Sequence, residues 1–591
     1  KVIKLAKKRD LKGKGRGNFV TFISKTSVVK ILKLIAEMLK EKIAKYVNDA
    51  GLFSVQMDST TDISTHDQCA VVVRYVQEDK ARERLLRLVN VSDSSAQSLH
   101  NLLEKSLDEV GVKLDLCVGD SFDGAANMSG VYNGLQALLK QVRPSHVHTW
   151  CYAHVLNLVI GDASTVSAEA ASLFGLLNQM ANFFKESYKN MNVWEKQMEG
   201  NTGHQKLQKL ARLCQTRWSS RARALRKLFG SFNDNTKEIF SDLLMVLQHV
   251  NETTNFKGSI RYEAKCLREN LSKFETVLVA FIYIRIFDIT TPVSDYLQTP
   301  GLDVLQAWRM INEATDKLSK VARDFATIYQ HATTFINGVN DKLIEEGIHL
   351  TTDLPKIRAT RRAPNVQSAE KNFEINCHNV ILDTVVLTIS NRFSQHKELY
   401  NEIACFDPNR FEEVKIRPEM INLTTIVEAL PEIDTISLKE ELLSFASNYH
   451  QLKQGLFPDN DDSPPDLSDY SDDEEHPSKV MVKEAACKNC LSCAFRLLSQ
   501  YKLCSTAYEN LFLAYKYLVT LSVTQCSCER SFSKLKLVKT RLRSSLTQEN
   551  LESLMIIAVE KDLALELKDN KEKIIDKFAM SSKELSSLLL L

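Results

Sequence analysis

Strand-like patterning in this chain is crowded into its first 150 residues. Leu52-Phe53-Ser54-Val55-Gln56-Met57-Asp58, then Gln68 to Val76 and Arg84 to Val91, follow one another and are rich in Val and Leu, which predicts three consecutive strands. A helix is expected from about Ser95 to Val110, a fourth strand over Leu114 to Val118, and another helix from about Ala125 to Val142, stopped by Pro144. His146 to Trp150 reads as a short fifth strand that leads into a helix through Leu158. Three strands, helix, strand, helix, strand, helix is the order of an α/β core.

The rest of the chain is a different material. From about Ser167 to Gln451 it reads as almost wholly helical, with apolar stripes over Lys237 to Val250, Glu275 to Asp288, Val304 to Ala322 and Asn379 to Arg392. Thr351 to Asn365 interrupts this run with Lys356, Arg358, Arg361 and Arg362 between prolines, and reads as a solvated loop or a DNA contact. Pro458 to Pro477 is acidic, with Pro464-Pro465 and Asp472-Asp473-Glu474-Glu475, as expected of a disordered linker. Residues 1 to 18 hold Lys1, Lys4, Lys7, Lys8, Arg9, Lys12, Lys14 and Arg16, a basic mobile arm, and an amphipathic helix is expected from about Ser27 to Tyr46.

Lys plus Arg number 76 against 74 for Asp plus Glu, so attraction to nucleic acid must come from local patches rather than from overall charge. One patch stands out near the end. From Gln525 to Ile557 a helical pattern places Phe532, Leu535, Val538, Leu542 and Leu546 on one stripe, while Arg530, Lys534, Lys536, Lys539, Arg541 and Arg543 occupy the other faces. Glu529 is the acid at the head of that basic surface; as a residue of the first turn it is also favoured by the helix dipole. Two upstream acids answer it. In a ribonuclease H-like core, carboxylates on the first strand, after the fourth strand and on a late helix converge, and they hold two divalent cations for in-line phosphoryl displacement. Asp58, Asp123 and Glu529 occupy those places, and oxygen ligands suit Mg2+ or Mn2+. Asp120 also lies at the strand end, so the sequence leaves open which of Asp120 and Asp123 faces the metal.

Five motifs then resemble one family: Asp58-Ser59-Thr60-Thr61-Asp62-Ile63-Ser64, Asp123-Gly124-Ala125-Ala126-Asn127-Met128, Trp150-Cys151-Tyr152-Ala153-His154-Val155-Leu156-Asn157-Leu158, Thr216-Arg217-Trp218 and Cys528-Glu529-Arg530-Ser531-Phe532-Ser533. In this order they resemble a hAT-superfamily DNA transposase, or a host protein derived from one, of the zinc finger MYM-type protein 1-like kind. The resemblance implies that Asp58, Asp123 and Glu529 are the catalytic acids and that a large all-α insertion separates the last of them from the core. It implies that the C-terminal helices form a dimerisation region giving a homodimer or higher oligomer. It also implies that Trp218, beside Arg217, stabilises a flipped base at the DNA end, for which aromatic stacking supplies the physical basis. Ser59-Thr60 follows the first acid where many active members have an aromatic, a form common in the host-related subgroup.

The expected architecture is therefore a ribonuclease H-like α/β core interrupted by an all-α insertion. The divisions are a flexible arm (1–26), the first part of the core (27–166), the insertion (167–453), the acidic linker (454–479) and the remainder of the core with the dimerisation region (480–591). DNA is the expected partner, through Trp218, Arg217, Arg530, Lys534, Lys536, Arg541 and Arg543, in the nucleus and with no membrane. Whether catalysis survives, or only binding and regulation, is left open by the sequence.

An odd count of 13 cysteines and the absence of an apolar signal segment point to a reducing setting, and Lys1 in place of a methionine points to a further upstream portion. No uninterrupted apolar run reads as long enough to span a bilayer. Cys151 and His154 have metal-ligand separation, with His146 and His148 upstream, yet zinc is not expected because structural sites usually draw ligands from two separated loops; they are read as a structural or DNA-proximal pair. Cys487, Cys490 and Cys493 read as small buried residues along one helical side.

Overall fold

The computed structural model describes residues 24–201, 218–232, 238–355, 368–394, 397–456, 489–503, 507–583 and 586. Most of the expected basic arm, the Lys356 to Arg362 loop, Cys487 and most of the acidic linker lie outside the described residues. Helix α1 (Lys25–Ala50) is capped by the Ser24 side chain and precedes β1 (Phe53–Thr61), β2 (Asp67–Gln77) and β3 (Lys80–Val91), which pair antiparallel. After α2 (Ala96–Asp108), β4 (Cys117–Phe122) pairs parallel to β1, and after α3 (Leu135–Val142), β5 (Val147–Trp150) pairs parallel to β4. The result is a five-stranded mixed sheet in the order β3-β2-β1-β4-β5. Short turns force antiparallel neighbours and helical connections permit parallel ones, so the mixture follows from the spacing of the strands.

β1 is buried on both faces, and the two faces are chemically different. Phe53, Val55 and Met57 meet Leu39 and Ile43 of α1 and Leu103 and Leu107 of α2 in one apolar core. Ser54 and Gln56 point the other way and are just as buried. Ser54 Oγ donates to the Thr520 carbonyl at 2.6 Å, and Gln56 Nε2 donates to Ser522 Oγ at 3.0 Å. Left unpaired, each such group costs about 1–3 kcal/mol. They therefore draw a late stretch of chain under the centre of the sheet. Buried Arg74 on β2 adds to this: Nε and Nη2 donate to the Val519 carbonyl at 3.1 and 2.8 Å, Nη2 also reaches the Leu302 carbonyl at 2.8 Å, and Nη1 pairs with Glu83 at 3.0 Å.

Every described element from Ala168 to Leu456 is helical. These helices share one core with α4 (Tyr152–Ala163). At its centre is α5 (Phe274–Leu297), which is long and apolar enough to cross a membrane by length and composition. Its consecutive residues Phe281, Ile282, Tyr283 and Ile284 are all fully buried, so every face of the helix meets protein. The later helices α6 (Leu491–Gln500) and α7 (Glu509–Thr520) join that core. α8 (Cys526–Val538), α9 (Gln548–Val559) and α10 (Lys561–Asp569) close the core on the other face of the sheet through Leu535, Leu551, Met555, Ile556 and Leu563. Arg84 of β3 holds Glu560 at 2.9 Å and Asp562 at 2.7 Å, and Arg87 holds Glu552 at 2.6 Å.

Three expectations of local structure are corrected. Leu114–Leu116 is a 3-10 turn and β4 begins at Cys117. The helix expected over Ala125 to Val142 is split into the single turn Ala126–Ser129 and α3, because Gly134 packs so tightly that an added Cβ would lie 2.4 Å from the Gly130 nitrogen. The single helical pattern from Gln525 to Ile557 is broken after Val538, where Lys539 turns inward to meet Asp62 at 2.6 Å; both are buried, and a new helix starts after Thr547. Thr547 takes the extended N-cap conformation without a side-chain capping bond.

Replacing Arg74 with Met is expected to cost about 3–5 kcal/mol by leaving Glu83 short of a partner and two carbonyls uncompensated. The measurement is the thermal denaturation midpoint. An unchanged midpoint would contradict the anchoring role.

Candidate acidic active site

Asp58 sits where β1 passes from buried to half-exposed, opposite Ala70 of β2. The parallel register with β4 puts Val55 beside Asp120 and Gln56 beside Ser121, and continuing it by two residues brings Asp123 level with Asp58. The third acid is delivered by the start of α8, which is held at several points. The Tyr152 N–H donates to the Val523 carbonyl at 2.9 Å, the Gln525 N–H to Cys151 Sγ at 3.3 Å, and Cys528 Sγ to the Ala70 carbonyl at 3.8 Å. Glu529 follows Cys528 in the first turn of the helix, and so lies against the strand pair that carries Asp58.

Asp58 senses the other two acids. Asp58 is pushed up to about 8, first by burial, then by the negative charges of Glu529 and Asp123, while the Ser59 N–H at 2.9 Å works in the opposite direction. The neighbouring charges that act on it most are all negative. An oxygen-only, under-compensated donor set is the kind that hard divalent cations satisfy. The side chains as they stand do not form a closed cage: among the described residues no group of three or more His, Cys, Asp or Glu is arranged to hold a metal ion.

Asp120 and Asp123 have different surroundings. Asp120 is buried, and His146 Nε2 and His148 Nδ1 each donate to one of its oxygens at 2.6 Å. His148 of β5 lies opposite Asp120 in the parallel register, and His146, just before that strand, reaches the other carboxylate oxygen. Burial works to raise Asp120, but the two histidines outweigh it and hold the carboxyl below its ordinary value. Burial works to lower His146, but its hydrogen bond to Asp120 and a second at 3.3 Å to the Cys117 carbonyl raise it to about 10. Asp123 instead faces the Asp58 side, with its Oδ1 accepting from the Ala125 N–H at 3.1 Å.

The other sequence-predicted residues divide into three groups. Arg530 is an internal anchor, bonded to Glu83 at 3.1 Å and to the Gln298 carbonyl at 2.7 Å, and the Lys534 amine donates to the Ala558 and Val559 carbonyls at 2.9 and 3.4 Å. Lys536, Arg541 and Arg543 are exposed. Arg217 lies outside the described residues, and Trp218 opens the helix Trp218–Phe229, with its side chain also outside them. Cys151 is spent on Gln525, His154 is half-buried on α4, and His146 and His148 serve Asp120.

The comparisons with known proteins fall on these elements. A family model described as "ZMYM1/FAM200, RNase-like domain" matches residues 15–134, and another described as "hAT family C-terminal dimerisation region" matches residues 469–560. The first takes in Asp58 and Asp123, and the second takes in Glu529. Over these two stretches the chain is similar to hAT transposase-related proteins. Two curated relatives, each named 52 kDa repressor of the inhibitor of the protein kinase, come from Homo sapiens and Mus musculus; they are 21% identical over 319 residues and 20% identical over 394 residues. Those alignments cover 52% and 64% of this chain but 40% and 49% of the relatives, so the chain spans about half the length or less of the curated relatives it matches.

Two supports of the site escaped the sequence reading. The Trp150 ring lies directly against Gly124, where an added Cβ would come within 2.3 Å of it, and Arg392 stacks over the same ring at 5.6 Å. The Asp123-Gly124 turn is thereby backed by an aromatic that a helix more than 240 residues away holds in place. The pairing of Lys539 with Asp62 fixes the turn after β1 in a similar way. Only the strand spacing of His146 and His148 gave advance notice of any of these partners.

The Asp120–His146 pair carries a pH prediction. The raised His146 contributes stability in full below its ordinary value of 6.5 and loses it as pH rises toward about 10, while the lowered Asp120 contributes above 3.8 and loses it as pH falls further. The difference in denaturation midpoint between wild type and His146→Gln is therefore expected to be greatest between pH 3.8 and 6.5 and to shrink on the alkaline side. A difference that is flat with pH would contradict the pairing.

Proposed function

We propose that this chain is a DNA-binding, dimerising hAT-type transposase-like protein in which Asp58, Asp123 and Glu529 hold two divalent cations, Mg2+ or Mn2+, for DNA cleavage and strand transfer. The observation that carries the reading is that Asp58 on the first strand faces the negative charges of Glu529 on a late helix and Asp123 after the fourth strand, with little compensation. Bound there, the cations would activate a water or hydroxyl and stabilise the leaving oxygen. The chain's own part is positional: the sheet centre fixes Asp58 and Asp123, and α8 fixes Glu529. In this reading the five-stranded sheet is a ribonuclease H-like core and the helices between α4 and α6 are the insertion. The C-terminal region serves dimerisation, and the setting is the nucleus.

DNA would be followed by Lys536, Arg541 and Arg543, which are exposed on and just beyond the helix that carries Glu529. Arg530 and Lys534 are in addition tied within the fold, to Glu83 and to the Ala558 carbonyl. Trp218, at the start of its helix, would stack on an extruded base.

A second reading, a transposase-derived regulator that binds without cleaving, is favoured by one specific observation. Both curated relatives are named as repressors.

Incubation with Mn2+ or Mg2+ and candidate terminal-repeat DNA separates the two. The first reading expects nicking or hairpin formation, lowered at least about 100-fold in Glu529→Gln with DNA binding retained. It also expects Mn2+ to raise the denaturation midpoint of wild type and not of Asp58→Asn. No cleavage and no Mn2+ stabilisation under any condition would leave the binding protein. Replacing Lys536, Arg541 and Arg543 with Ala is expected to reduce the slope of log affinity against log salt by about 0.9 per side chain, and an unchanged slope would remove them from the DNA surface.

A further inference from the structure

Cys490-Leu491-Ser492-Cys493 forms the entry to α6, with Cys490 at the N-cap and Cys493 in the first turn. The sequence spacing suggested one helical side, but the structure brings the two sulphurs to 3.4 Å. They are not joined, and both are nearly buried, with 7% and 8% exposure, which leaves a thin opening to solvent. The turn that carries them is held from several directions. The Ser492 N–H donates to Asp303 Oδ2 at 3.1 Å, Lys453 Nζ to Asn489 Oδ1 at 2.8 Å and Asn409 Nδ2 to the Asn489 carbonyl at 2.9 Å. Backbone freedom at this turn is thus already restricted, and two thiols are kept in near contact.

We propose that Cys490 and Cys493 are a redox-active dithiol that closes to an intramolecular disulfide by exchange with a low-molecular-weight disulfide such as oxidised glutathione. A disulfide bond is about 2.05 Å long, so side-chain rotation within the fixed turn closes the remaining gap. Two cysteines separated by two residues, with their sulphurs already in near contact, are suited to this exchange. The balance is complete. One thiolate attacks a sulphur of the small disulfide and releases one thiol; the second cysteine, losing its proton, attacks the mixed disulfide and releases the other. Two electrons and two protons pass to the co-reactant. Oxidation pins the first turn of α6 at the point where Asp303, Asn409 and Lys453 of the helical region meet the C-terminal part of the chain. The inference is independent of whether the acid site cleaves DNA.

The test equilibrates the full reduced chain in mixtures of reduced and oxidised glutathione, quenches with acid, alkylates and maps peptides by mass. The Cys490–Cys493 peptide is expected to lose two hydrogens and its reactivity toward alkylation together, over one transition as the oxidised fraction rises. Cys493→Ser is expected to stop at a glutathione adduct on Cys490. The wild-type titration decides by itself should that variant fold poorly. Both thiols remaining alkylatable at every ratio, or a zinc ion retained by this peptide in the reduced chain and blocking exchange, would overturn the proposal.

Discussion

The arrangement depends on two polar side chains in the middle of the most buried strand. Ser54 and Gln56 alternate with Phe53, Val55 and Met57, so one face of β1 belongs to an apolar core and the other demands hydrogen-bond partners where no water reaches. Thr520 accepts from Ser54 and Ser522 from the Gln56 amide nitrogen, while Gln56 Oε1 has no partner among the described residues; Arg74 holds the Val519 carbonyl alongside. A stretch from the last quarter of the chain is thereby fixed beneath the sheet, and α8 leaves it at one defined point. The bonds from Ser54 and Gln56 thus help to fix the stretch from which Glu529 is delivered toward Asp58.

The same logic sorts the charges around the site. A lone acid at the end of a strand is ordinarily hydrated or paired. Asp120 is paired, by two histidines of the neighbouring strand, whereas Asp58 is buried facing other acids. Structure and function pull in opposite directions at these two positions, for the paired acid strengthens the sheet and the unpaired one weakens it.

Much of this was legible in the sequence. The strand order followed from where Val-rich segments and helical periods alternate, and Asp58, Asp123 and Glu529 from where that order puts strand ends and a late helix. What was not legible depends on contacts between distant residues. Arg530 and Lys534 look like the neighbouring solvent-facing cations until Glu83 and the end of α9 take them up. Lys539 continues an amphipathic pattern on paper, but buried Asp62 draws it inward and ends the helix. His146 and His148 have the spacing of metal ligands, and only the neighbouring strand shows that Asp120 is what they bind.

The most direct measurement of the central claim is the anomalous scattering of Mn2+ from crystals of the full chain grown or soaked in that ion. Density for bound Mn2+ bounded by the carboxylates of Asp58, Asp123 and Glu529, with the Thr520 and Ser522 bonds to β1 in place, is the result this account predicts. Crystals in which Glu529 lies away from Asp58 and Asp123, with no ion among them at saturating Mn2+, would contradict it.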